Sequence, residues 1–293
     1  MLGLNVIIRL MRQLFLFPAI ALAAVAQAWD LNGHRIVATI AYDSMKPKTR
    51  IWVDKMLKDF KPDGATSYTN FVNASTLADD FKYPPSGSPL RSVRDWDKWH
   101  YVDYDFTRGP KYVLIGQRPE ETVVAAIGKL VNQLKTHTPA VSGRGEDWAL
   151  AMLIHFVGDT HQPLHGIDYH DSGGNGFKLK IKTPGGNKDT NLHSLWDNVA
   201  TINYEIKGKD QIADVAKKIE LAYPMPAATA LGFAPDRWSK ESFDLAVKYG
   251  YGGAQRGAFQ TSGYLANWKD KGLGRMALAG YRLAALLDAL APA

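Results

Sequence analysis

The sequence predicts an all-α domain carrying one small β-hairpin, and three observations lead there. Apolar residues recur at helical spacing along most of residues 29–293, strict polar–apolar alternation occurs in one short stretch, and no cysteine is present to staple a loop-rich scaffold. The 293 residues are 46% hydrophobic and 22% charged, proportions that exclude collagen, a disordered tail and a disulfide-dense module. No internal repeat, low-complexity tract or linker divides the chain, so a single domain over residues 29–293 is expected.

Residues 1–28 read as a removable signal peptide. Arg9 and Arg12 flank or precede the apolar run from Leu14 to Ala26, which is too short to span a bilayer, and Ala26-Gln27-Ala28 supplies the small-x-small pattern of a signal-peptidase site. Cleavage there makes Trp29 the mature N-terminus of a secreted or periplasmic protein, and no later segment is apolar enough to serve as a membrane anchor. Two basic residues and no acid leave with the leader, so the net charge falls from +6 to +4. That mild excess suits a polyanionic partner, yet without dense Lys/Arg runs it serves solubility equally well. Asn73-Ala74-Ser75 matches the N-glycosylation pattern, which matters only in a eukaryotic secretory pathway.

Beyond the leader, Ile36, Ile40 and Ala41 mark the first apolar helix face. Val123, Val124, Ile127, Leu130, Val131 and Leu134 mark another, opened by Pro119 with Glu120 and Glu121 behind it. Trp148 to Val157 is almost continuously apolar, as a central buried helix requires. Phe243, Ala246 and Val247 form a short stripe, and Leu283, Leu286, Leu287 and Leu290 form a clearer terminal one. The hairpin comes from Phe177, Leu179 and Ile181 alternating with Lys178, Lys180 and Lys182, followed by Pro184-Gly185-Gly186-Asn187. Residues 83–95 and 166–176, rich in Pro and Gly respectively, are expected to be irregular loops.

The candidate chemistry lies in histidines and aspartates. His155 and Asp159 are four apart in a helical stretch, as are His193 and Asp197, so each pair leaves one helix face a turn apart, at metal-ligand spacing. His165 follows Pro163, where the chain can turn back towards the helix it has left. A buried polar or charged group without a partner costs several kcal/mol out of a total stability of about 5–15 kcal/mol. The cluster is therefore either metal-bound and mutually paired, or exposed and scattered. Leu153, Ile154, Phe156 and Val157 around His155, and Leu192, Leu195 and Trp196 around His193, argue against scattering. Imidazole and carboxylate without thiolate favour zinc, although manganese or iron accept the same ligands. His137, His161 and His170 lack a comparable setting and read as surface residues or supports behind the ligands.

The order of landmarks resembles the zinc-dependent single-strand-specific nucleases of the S1/P1 type, related in fold to bacterial zinc phospholipases C. The landmarks are Trp29 with His34, Ala78-Asp79, His100-Tyr101-Val102-Asp103, His155 to Asp159, Gln162 to His165, Gly173-Gly174-Asn175 and His193 to Asn198. Arg237-Trp238 to Glu241-Ser242 and Ala279 to Leu287 add to the resemblance, which covers nearly all of residues 29–293. It implies three zinc ions: one held by Asp79, His100, His155 and Asp159; a second by His165, His193 and Asp197; a third by the amino group and carbonyl of Trp29 with His34 and the shared Asp159. An amide nitrogen in the precursor lacks the lone pair of a free amine, so leader removal would complete the third site.

The implied reaction is phosphodiester hydrolysis, since zinc lowers the pKa of a bound water to about 7 and neighbouring ions stabilise attacking and leaving oxygens at phosphorus. The implied activity is endonucleolytic cleavage of single-stranded DNA and RNA to 5′-phosphorylated products, with 3′-nucleotides as further substrates, by a monomer. Asp79 would orient or deprotonate the water, and Lys82 would offset charge on the phosphoryl oxygens. The family usually has an arginine at the Lys82 position, so a bidentate contact there is not carried over. Tyr101 is placed either to stack an unstacked base or to pack around the ligands, Asp103 to hydrogen-bond a base edge, and Asn198 to contact phosphate or sugar. Leu77 stands where the family commonly has tryptophan, and the cysteines of fungal members are missing, which points towards a bacterial exported enzyme. A zinc phospholipase C and a non-catalytic metal-binding protein are the rival readings.

Overall fold

A computed structural model describes residues 29–109, 111–183, 185–228 and 231–292. The leader assigned to residues 1–28, and Pro184 of the expected turn, lie outside the described residues. Among the described residues there are eleven α-helices in chain order: α1 (Leu31–Ser44), α2 (Pro47–Leu57), α3 (Phe71–Ala74), α4 (Leu77–Lys82), α5 (Val123–Thr136), α6 (Glu146–Asp159), α7 (Leu192–Asp197), α8 (Val199–Tyr204), α9 (Ile212–Ala222), α10 (Pro235–Leu245) and α11 (Ser262–Leu290). The hairpin β1 (Lys178–Thr183) and β2 (Gly186–Asn191) is the only sheet among the described residues. The mainly helical architecture with one small hairpin is the expected one, and no described helix is long and apolar enough to cross a membrane.

The centre is α6, whose residues from Trp148 to Asp159 are all buried. That burial explains why its sequence shows no polar stripe: neighbours cover every side. α5, α1 and α11 all pack against it. The crossing of α1 and α11 is close because Gly280 faces Ile40, and a Cβ on Gly280 would lie 2.6 Å from Ile40 Cγ2. Asp30 starts α1 by accepting the Gly33 N–H at 2.7 Å, capping an otherwise orphaned donor.

Three departures from the sequence reading have physical reasons. α11 begins at Ser262, some twenty residues before the Leu283 stripe, because its earlier buried face is built from Gly272, Arg275 and Met276 as well as aliphatics. α3 and α8 span about a turn and show no period, α2 buries only Thr49, Val53 and Leu57, and α9 carries the stripe Ile212, Val215, Ala216 and Ile219, a signal the sequence reading leaves out. The stripe Phe243, Ala246 and Val247 belongs to α10 only as far as Leu245; Ala246–Tyr251 continues as a wider π-type turn. β1 has the register Lys178↔Asn191 to Thr183↔Gly186. Its other edge is also paired: Lys180 N–H donates to Ala258 O at 2.9 Å and Gln260 N–H to Lys180 O at 3.0 Å.

Candidate metal centre

Five segments far apart in the chain meet beside the C-terminal end of α6. His34 comes from α1, Asp79 from α4, His100 from a 3-10 turn over Asp97–His100, His155 and Asp159 from α6, and His165 from a 3-10 turn over Pro163–Gly166. α7 adds His193 and Asp197. All eight side chains are buried, none more than 5% exposed. They form three groups whose ligand atoms lie within 4.8 Å of one another: His34, His155 and Asp159; Asp79, His100 and His155; His165, His193 and Asp197. Asp159 joins the first two, with Oδ1 3.3 Å from His34 Nε2 and Oδ2 3.0 Å from His100 Nδ1 and 3.3 Å from His155 Nε2. Asp79 Oδ1 lies 3.7 Å from His100 Nδ1 and 3.8 Å from His155 Nε2.

Three of the imidazoles are oriented by backbone carbonyls. His155 Nδ1 lies 2.7 Å from Ser75 O, His165 Nδ1 2.7 Å from His100 O, and His193 Nδ1 2.7 Å from Gly173 O. A carbonyl only accepts, so each Nδ1 carries a proton, and in the neutral rings of His165 and His193 the Nε2 lone pair is left free to turn inward. Burial holds His34, His100 and His165 down to about 4 and His193 to about 3; His155 and His165 add to it at His34 and His193, while Asp159 opposes it at His100 and His165. Those rings are neutral at ordinary pH, which is the ligand form. His155 goes the other way: burial lowers it, but Asp159 and Asp79 outweigh burial and raise it to about 9. Burial pushes Asp79 up to about 7, with Asp159 adding repulsion and His155 opposing it.

The donor set fits a divalent cation on an observation independent of resemblance. His34 Nε2, both carboxylate oxygens of Asp79 and Asp159 Oδ1 are buried without a hydrogen-bond partner. Four orphaned polar atoms so close together are costly in a bare fold and are satisfied together by cations. Nitrogen and carboxylate oxygen are donors that zinc accepts.

Trp29 is fully buried, and its indole N–H donates to Gly158 O at 3.0 Å. The next residue's N–H donates to Asp197 O at 3.1 Å. The Trp29 backbone is thus pinned between the segments that carry Asp159 and Asp197. A Cβ on Gly158 would come within 3.1 Å of His34 Nδ1, so glycine there makes room for the His34 ring, which stacks on His155 at 3.8 Å between centroids.

A cavity of about 290 Å³ opens over this centre. His100, His165 and His193 form its floor, with Lys82, Tyr101 and Asp103 on its wall. The charge of Lys82 is felt by Asp79, His100, His165 and His193 alike. Burial, then Asp168, pushes Asp103 up to about 8; burial, then Asp103, pushes the Tyr101 hydroxyl up to about 12. Asn198 is not brought to this wall: its side-chain amide donates to Ser194 O at 2.8 Å and closes the end of α7. Asp80 turns away, accepting from Tyr68 and Thr76.

Several residues of the site carried no role in the sequence reading. Asp168, Ser172 and Asn175 complete the wall, and Gln162 donates to Asp197 Oδ1 at 2.6 Å. The run Gly173-Gly174-Asn175 was the available signal. His170, Ser172, Gly173 and Gly174 all have positive φ, and Asp168 holds this contorted loop by accepting the Asp171 and Gly173 N–H groups. Of the three histidines set aside, His137 and His170 are exposed. His161 is fully buried, with Nδ1 on Val157 O at 2.8 Å and Nε2 facing Arg282 at 3.0 Å.

A helical fold whose central helix ends in a buried His/Asp cluster under a solvent-open cavity is the arrangement of a candidate metal-dependent hydrolase. The S1/P1 nuclease family model matches residues 29–292, and the chain belongs to that family. It is 27% identical to Endonuclease 3 of Arabidopsis thaliana over 90% of this chain and 89% of that protein. It is 28% identical to Nuclease S1 of Aspergillus oryzae over 61% of this chain and 56% of that protein. It is 26% identical to Nuclease P1 of Penicillium citrinum over 58% of this chain and 57% of that protein.

Proposed function

We propose that this nuclease is an exported, monomeric zinc enzyme that cuts single-stranded DNA and RNA to 5′-phosphorylated products and removes phosphate from 3′-nucleotides. The observation that carries the reading is the set of orphaned buried atoms on His34, Asp79 and Asp159 beneath a solvent-open cavity. Asp79, His100, His155 and Asp159 would hold one zinc, His165, His193 and Asp197 a second, and His34, Asp159 and the freed amino group and carbonyl of Trp29 a third. Bound zinc supplies Lewis acidity towards the phosphoryl oxygens and the attacking water.

The remaining chemistry falls to the chain. Asp79, acceptor-only when ionised, orients the water and takes its proton as the water oxygen bonds to phosphorus. The bond from phosphorus to the 3′-oxygen breaks, that oxygen takes up a proton from solvent while Asp79 later returns its own to solvent, and the phosphate stays on the 5′ side of the following nucleotide. Lys82 offsets the charge that grows on the phosphoryl oxygens. Tyr101 offers a ring face to a base that has left its stack, and Asp103 meets the base edge; a base held in a duplex cannot reach either. Leu164 is the one aliphatic residue on the described cavity wall, which favours a nucleotide over acyl chains and weighs against the phospholipase alternative.

The test assays single-stranded DNA, RNA, duplex DNA, a 3′-nucleotide and phosphatidylcholine side by side, with elemental analysis of the processed protein. Cleavage of the single strands and the 3′-nucleotide, lost with chelator and restored by zinc, is expected, with three zinc equivalents per chain. Turnover of the lipid alone overturns the nucleic-acid reading, and no turnover of any substrate leaves a metal-binding protein.

A further inference from the structure

We propose that the solvent face of β1 is a docking track for the sugar-phosphate backbone of the strand whose scissile phosphate occupies the cavity. The proposal rests on the nuclease reading above and extends it from one nucleotide to the segment beyond.

The pleat of β1 is fixed by burial: Leu179 and Ile181 are 2% exposed, so Lys178, Lys180 and Lys182 all leave the opposite face into solvent. Alternate strand positions lie ~7 Å apart, on the scale of successive phosphates along an extended single strand. The row starts at the cavity lip, where Lys178 Nζ donates to the carbonyl of the cavity-wall residue Asn175 at 3.0 Å. From there Lys180 and Lys182 lead away along the strand.

Two ordinary explanations of such a row do not apply. Lysines often protect an edge strand from pairing with another chain, but β1 is paired on both sides, with β2 and with residues 257–260. Nor are the lysines neutralised in place. Among the described residues the only carboxylate within 4.0 Å of any of them is Asp189, 3.9 Å from Lys180 and itself 84% exposed, a contact of little energetic weight. Phe259 lies beside the row, 38% exposed, with Lys182 Nζ 5.7 Å from its ring centre. Cations that follow the backbone, interleaved with an aromatic face for a base, are how single strands are held without regard to sequence.

The test replaces the row as K178Q/K180Q/K182Q. All three side chains are exposed, so the melting temperature should match wild type. With an oligonucleotide long enough to leave the cavity, kcat/KM should fall about tenfold or more at low salt, through KM. Hydrolysis of a 3′-mononucleotide should not change. The slope of log KM against log salt should shrink by about 2, from three phosphate contacts at ~0.7 each. Equal salt slopes in variant and wild type overturn the track, as does an equal loss on both substrates, which would place the effect at Asn175 inside the cavity. Anisotropy of a labelled strand on the Asp79→Asn protein, with and without the lysines, separates the two readings. Weaker binding without the lysines supports the track even where no cleavage occurs, and unchanged binding overturns it.

Discussion

The isolation of Asp79 makes one substitution stabilising or destabilising according to whether metal is bound. Asp79→Asn keeps the shape and removes the charge. In the metal-free fold the carboxyl has a pKa of about 7 against 3.8 for the ordinary group. The unfolded chain therefore gives up this proton at lower pH than the folded one, and the metal-free fold loses stability as pH rises from about 4 through about 7. A difference of that size corresponds to on the order of 4 kcal/mol at pH 8. Asparagine cannot ionise, so this loss should be absent from the variant. The assay is the urea midpoint of chelator-treated wild type and Asp79→Asn at pH 4, 6 and 8, followed by the same series with zinc restored. Metal-free, the wild-type curve should fall towards pH 8 more steeply than the variant's. With zinc the order should reverse, because the carboxylate then has its cation and the amide is a poor substitute. Parallel metal-free curves from pH 4 to 8 would refute the argument, since they would mean that the carboxylate keeps water or another partner.

The parts of this molecule legible in its sequence are those whose partners lie within a few turns. α5 is read from its stripe because one face is buried and the other is wet. The candidate ligands are read because His155 with Asp159 and His193 with Asp197 each sit four apart, so the helix itself sets their alignment. What stays hidden depends on distant segments. Gln162 is tied to Asp197, thirty-five residues on, and nothing within a turn of Gln162 announces it. His161 reads as an ordinary polar residue until Arg282, 121 residues away, is brought against it. Arg275 and Arg282 mask the buried face of α11 for the same reason. Arg275 donates to His161 O at 3.0 Å, and both arginines pair with Glu241. The chain therefore fixes the corner between Asp159 and His165 from behind with charges that look, in sequence, like a solvated surface. The His/Asp cluster announces itself, and the frame that holds it does not.

Gly173→Ala places a Cβ 2.9 Å from Leu164 O at a residue with φ +60. It should cost ~1–3 kcal/mol in a thermal melt and at least tenfold in activity, since Gly173 O orients His193; unchanged activity would mean that His193 does not need that carbonyl. Gln162→Leu leaves Asp197 Oδ1 without its 2.6 Å donor and should weaken zinc retention at the His165, His193 and Asp197 group by about 10–100-fold in a chelator competition. Burial would raise the Glu241 carboxyl, but Arg282 and Arg275 outweigh it and hold it below its usual 4.5. The stability it contributes is therefore full at neutral pH and lost as pH falls through that depressed value, so Glu241→Gln should be less stable than wild type at pH 7, with the gap closing in acid urea titrations. Keeping Ala28 ahead of Trp29 turns the amino group into an amide while leaving every side chain in place, so elemental analysis should find one zinc fewer than in the processed chain. Equal zinc in the two forms would remove the Trp29 amine from the centre and leave His34 and Asp159 to hold that ion with other donors.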